Sequence, residues 1–117
     1  MANLNEVKLI GYIGANPELS HTAGGKPVCN FSLATTDRWT DKDGNQQEKT
    51  QWHSITAWEG LAKTCATYLK KGDPVYVGGK LEYEKWTDKN GIERVSAVVV
   101  IDDMQFLKPK TRDSASA

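Results

Sequence analysis

Apolar and polar residues alternate with a period of two along most of this chain, the pattern of strands buried on one face. In Val7 to Gly14 the residues Val7, Leu9 and Ile13 share one parity, and Asn16-Pro17 ends the run. The turn cluster Ala23-Gly24-Gly25-Lys26-Pro27 leads into Val28 to Thr36, where Cys29, Phe31 and Leu33 share a face and predict a second strand. Asp41 to Glu48 is polar and contains glycine, so it reads as a long hairpin loop before a third strand, Thr50 to Trp58. From Val75 to Trp86, Val75, Val77, Leu81 and Tyr83 alternate with Lys80, Glu82 and Glu84, and Gly78-Gly79 predicts a bulge or sharp bend. Asp88-Lys89-Asn90-Gly91 predicts a hairpin of type I′ into a fifth strand, Ile92 to Ile101, resuming toward Leu107.

One segment departs from that period. Between Gly60 and Lys71 the residues Leu61, Ala62, Cys65, Tyr68 and Leu69 fall on a single helical stripe. Lys70 and Lys71 are expected in its last turn, Gly72 as a left-handed cap and Pro74 as the stop. Three strands, a helix and two strands match the all-β OB-fold, a five-stranded, partly open barrel with one helix between strands three and four. A ferredoxin-like order would need a helix after the first strand, and Asn16 to Pro27 has no helical stripe.

The length of 117 residues suits one domain. That domain is expected over residues 1–107, with 108–117 a short, polar, disordered tail. No apolar run approaches a membrane span, and Met1 to Glu6 has no basic-then-apolar leader, so a cytoplasmic protein is expected. Fifteen basic and fifteen acidic residues cancel, which excludes binding to nucleic acid by bulk charge and requires any such contact to be local. Cys29 and Cys65 lack the spacing of a metal site; they read as buried thiols, with one long-range disulfide as the alternative.

Candidate chemistry lies in the four Trp. In the third strand Trp52, Ser54, Thr56 and Trp58 share one face while His53, Ile55 and Ala57 take the core face. Two indoles separated by hydroxyls make a poor core and a good wet aromatic surface. Trp86 repeats the pattern on the parity of Lys80, Glu82 and Glu84, and Trp39 stands between Arg38 and Thr40 at the entry to the polar loop. At least three of the four are expected to form one exposed surface, to which planar polyanions are suited: bases stack on indoles and Lys or Arg follow the phosphates. A carbohydrate-binding module is the competing class, because sugar rings also stack on Trp. No catalytic motif or metal-ligand spacing accompanies His21 or His53, so no enzyme activity, cofactor or metal is expected.

These residues resemble the bacterial-type single-stranded DNA-binding protein family from about Asn5 to Leu107. Leu9-Ile10-Gly11-Tyr12-Ile13-Gly14-Ala15-Asn16-Pro17-Glu18 is similar to the family's first strand and turn. Phe31 to Thr36, Gln51-Trp52-His53, Tyr68 to Gly72 and Lys85-Trp86-Thr87-Asp88 resemble further blocks in the same order. The resemblance implies an OB-fold subunit, a homotetramer, and single-stranded DNA bound without sequence preference in replication, recombination and repair, in association with the nucleoid. It puts stacking roles on Trp39, Trp52 and Trp86, an aromatic role on Trp58, and a subunit contact on His53. Glu82, Glu84 and Ser54 stand where members often carry basic residues, so phosphate contacts are expected to be fewer and to fall to Lys80, Lys85 and Arg94. Lys108 to Ala117 is short and basic, so recruitment of partners through the family's acidic tip is not supported. RNA binding, or a role as a replication-accessory OB protein, is the alternative.

Overall fold

The computed structural model describes residues 2–107, so the expected tail at 108–117 lies outside the described residues. In chain order these residues form β1 (Val7–Ile13), β2 (Glu18–His21), β3 (Pro27–Thr40), β4 (Gln46–Trp58), α1 (Glu59–Tyr68), β5 (Pro74–Thr87) and β6 (Glu93–Phe106). The strands run side by side as β1-β5-β6-β4-β3-β2, and β1 also pairs with β3. That extra pairing closes β1, β5, β6, β4 and β3 into a barrel and leaves β2 outside, attached to β3. With α1 between the third and fourth barrel strands, this is the expected OB architecture. Two seams are short: β1 meets β3 at Tyr12↔Ala34 and Ile13↔Leu33, and β4 meets β6 in parallel from Ser54↔Val98 to Thr56↔Val100.

The alternation read from the sequence fills the barrel. Cys29, Phe31 and Leu33 of β3 face Ile55 and Ala57 of β4, Val75 and Val77 of β5, and Val99 and Ile101 of β6. Burying the Val, Leu, Ile and Phe side chains among them contributes ~1.5–3 kcal/mol each. Helix α1 closes one end through Ala62 and Cys65, followed by Leu69. A ten-residue helix is too short to persist alone, so this burial holds it. Gly11 permits the β1–β3 seam, since a Cβ there would collide with the carbonyl oxygen of Ala34.

Several local expectations are corrected. Helix α1 ends at Tyr68 rather than Lys71, which takes Lys70 and Lys71 out of its last turn, and Tyr68 is 62% exposed instead of buried in the stripe. The segment after it is held by tertiary bonds. The Asp73 carboxylate accepts the Lys70 N–H at 2.9 Å, Asn16 Oδ1 accepts the Lys71 N–H at 2.8 Å, and Ile13 O accepts the N–H of left-handed Gly72 at 2.7 Å. Strand β2 has no counterpart in the sequence reading, because all four of its residues are exposed and leave no alternating pattern.

The long loop expected at Asp41 to Glu48 shrinks to five residues, Asp41 to Asn45, with β3 running to Thr40 and β4 starting at Gln46. All three hairpins use the same turn. Thr22, Asp41 and Asp88 each exchange backbone bonds across a three-residue loop whose last residue, Gly25, Gly44 or Gly91, is left-handed. Asn90 does not share that conformation, so the turn is a glycine-bulge type and not type I′. The expected irregularity at Gly78-Gly79 is present, with the extra residue, Asp102, on β6. Tyr83 is 69% exposed although its parity matches the core, because the β5–β6 hairpin runs on past the barrel.

Candidate nucleic-acid interface

Strand register assembles one continuous outer strip. Trp52, Ser54, Thr56 and Trp58 of β4 stand opposite Ala34, Ser32, Asn30 and Val28 of β3. Ser54 and Thr56 stand beside Val98 and Val100 of β6, and on β5 Glu82, Glu84 and Trp86 stand opposite Val98, Ser96 and Arg94. A groove of about 420 Å³ runs through this strip, its lining including Asn30, Ser32, Ser54, Thr56, Glu84 and Ser96. Thr56 Oγ1 donates to Asn30 Oδ1 at 2.8 Å, which fixes the floor.

Trp52, Trp86, Trp39 and Trp58 are 63%, 49%, 47% and 40% exposed, so all four indoles reach solvent. Trp52, Trp58 and Trp86 share the outer parity; along β4 the six-residue spacing of Trp52 and Trp58 amounts to ~20 Å. Trp39 takes the other parity of β3, opposite Gln47, in the exposed arm beyond the barrel. The Trp52 ring lies against Gly14, where a Cβ would collide with it. Trp86 Nε1 donates to Ser96 Oγ at 2.7 Å. Both contacts orient rings that would otherwise turn freely in water.

Cations around the strip are mostly engaged. Lys80 pairs with Glu82 at 3.4 Å, and Arg94, opposite Trp86, pairs with Asp88 at 2.9 Å. Lys85 has no ion pair among the described residues, but its parity turns it from Trp86 toward the face of Tyr83 and Val95. The three expected phosphate contacts therefore comprise two paired cations and one on the reverse face. The Asp88 carboxyl is held below the usual carboxylate range by the Ile92 backbone N–H, then by Arg94 and the Asn90 backbone N–H. His53 is half-buried, its Nε2 hydrogen-bonded to Thr35 Oγ1 at 2.9 Å. Among the described residues no group of three or more His, Cys, Asp or Glu is arranged to hold a metal ion.

Sequence reading missed Ser96 as the anchor of Trp86 and Asn30 as the partner of Thr56. No feature of the sequence singles out either residue, because which strands lie side by side is set by the tertiary pairing of β5 with β6 and of β3 with β4.

A model of the single-strand binding protein family matches residues 4–107. The chain belongs to that family. Within the single-strand binding protein family it is 44% identical over 111 residues to single-stranded DNA-binding protein 1 of Xylella fastidiosa, covering 94% of this chain and 82% of that one. It is 47% identical over 108 residues to single-stranded DNA-binding protein 1 of Chlorobaculum tepidum, covering 92% of this chain and 67% of the relative. A solved Plasmodium falciparum SSB complex with ssDNA superposes with a TM-score of 0.82 at 32% identity, covering 92% of this chain and 98% of the other. The family match spans all five barrel strands, so the outer strip lies wholly within it.

Proposed function

We propose that this chain binds and protects single-stranded DNA without sequence preference, serving replication, recombination and repair at the nucleoid. The observation that carries the reading is the outer strip: three exposed indoles, Trp52, Trp58 and Trp86, on one face around a groove floored by hydroxyls. Bases stack on such rings regardless of sequence, at ~1–3 kcal/mol per base, and only an unpaired strand offers its base faces freely. Trp39 extends the path along the β3–β4 arm. Lys80 and Arg94 take the phosphate roles beside the strip, each leaving a carboxylate to do so, which lowers the gain per contact, and Lys85 takes one only where the strand passes over the reverse face of the hairpin.

The chain acts by binding and not by catalysis, with residues 1–107 as the binding unit. It works as a homotetramer with His53 at a subunit contact, a reading supported by family resemblance and by a ring that is only half-buried within the single chain. The deciding experiment is a titration with oligo-dT followed by Trp fluorescence at two salt concentrations. Strong quenching that weakens with salt is expected; unchanged fluorescence at saturating oligo-dT would refute the reading, and salt-independent quenching by a glycan would favour the carbohydrate class. Competition with an RNA oligomer of matched sequence tests the RNA alternative. Light scattering tests the tetramer, and a monomer at micromolar concentration would contradict it.

A further inference from the structure

The groove between the indoles carries one formal charge, and it is negative. Of the side chains lining it, Glu84 alone is ionisable; the rest are hydroxyl, amide or apolar. Glu84 stands opposite Ser96 on the outer parity, two residues from Trp86. Its neighbour Glu82 lies outside the groove lining and pairs with Lys80 at 3.4 Å, whereas Glu84 has no ion pair and no hydrogen bond among the described residues. A free carboxylate repels phosphate, so a strand lying here must turn its phosphates to the rim and its base edges to the floor. Toward those edges an ionised carboxylate is an acceptor only. Cytosine, adenine and guanine each offer an exocyclic amino group, and thymine offers none.

We propose that Glu84 is a specificity-determining residue that biases this groove toward bases bearing an exocyclic amino group, cytosine over thymine among the pyrimidines. The inference rests on the single-stranded DNA reading above and deepens it, adding a modest preference for base composition to stacking that requires no particular sequence. The Glu84 carboxylate accepts a hydrogen bond from the amino group of a base stacked beside Trp86. At thymine the one donor is the ring N3–H, which lies between two carbonyl oxygens that repel the carboxylate, so the bond made there is weaker.

The test is titration with oligo-dC and oligo-dT of equal length, by Trp quenching, at mildly alkaline pH where cytosine stays unprotonated. The ratio of the two affinities cancels general charge effects. Glu84→Gln supplies both a donor and an acceptor, so the ratio of dC to dT affinity should fall by about fivefold relative to the parent chain. Glu82→Gln removes the same charge from a carboxylate outside the groove lining, and the ratio should hold. An unchanged ratio in Glu84→Gln, or an equal fall in both variants, overturns the proposal while leaving single-stranded DNA binding intact. No quenching by either oligomer overturns the reading on which it rests.

Discussion

The Trp86 indole N–H donates to Ser96 Oγ at 2.7 Å across the β5–β6 ladder, which ties the ring to the neighbouring strand instead of leaving it free on an exposed hairpin. A ring already oriented loses less freedom when a base stacks on it. Ser96→Ala deletes the acceptor without altering the ring. We predict a loss of about two- to fivefold in oligo-dT affinity, the scale of one exposed hydrogen bond, with little change in melting temperature. Unchanged affinity would mean that the bond does not preorganise the site.

Trp52 is the most exposed indole of the four and rests on Gly14. Trp52→Ala should weaken oligo-dT binding by ~1–3 kcal/mol and remove part of the quenching, while Trp39→Ala should cost less because that ring lies on the opposite parity of the arm. Titrations of both variants at one salt concentration rank them. Equal losses would show that the strand engages both faces of the β3–β4 arm.

The barrel and the outer strip were legible because period-two alternation reports burial directly: Cys29, Phe31 and Leu33 alternate in sequence and are all buried. Parity also separated Trp52 and Trp58 from His53, Ile55 and Ala57. It failed where strands leave the barrel, since Tyr83 keeps the core parity with no core to enter. It failed again at Gln46 to Glu48, polar residues that extend a two-stranded arm paired on one side only, from Arg38↔Glu48 to Thr40↔Gln46. Ion pairing was invisible: that Lys80 and Arg94 face Glu82 and Asp88 depends on rotamers and on strand neighbours.

Gly11 sits where β1 is shared between β3 and β5, opposite Val75. A methyl group there would meet the backbone carbonyl of Ala34, which cannot move without opening the seam. Gly11→Ala is expected to lower stability by ~1–3 kcal/mol, the usual range for overpacking. The urea midpoint should fall at an unchanged slope, and a midpoint equal to that of the parent would show that the seam yields easily.

Asp41 and Asp88 both have carboxyls held below the usual range by hydrogen bonds within their turns, led by the backbone N–H of Asn45 and of Ile92. A depressed carboxyl stabilises the fold above its unfolded-state pKa, and that contribution is lost as pH falls through the lower folded value. Asp88→Asn should therefore be less stable than the parent chain at neutral pH. The gap should close as pH drops below the usual carboxylate range, which paired melting curves from neutral to strongly acid pH would record. A gap that stays constant through acid pH would assign the effect to geometry and not to charge.

Cys29 and Cys65 are both fully buried and free. Burial raises both thiols, and Cys65, disfavoured further by the Cys29 thiolate, is pushed up to about 12. Reaction with a thiol reagent requires the thiolate and access to it, and the folded barrel withholds both. In native buffer neither cysteine should react with an aromatic disulfide reagent on the time scale of minutes. In denaturant both should react at once, and the native rate should follow the frequency of barrel opening. Partial protection by oligo-dT would link strand binding to that opening, since a ligand that binds only the folded state lowers the open fraction in proportion to its saturation. Rapid native labelling of Cys65 would show that α1 detaches from the barrel far more often than its buried contacts with β3 and β4 imply.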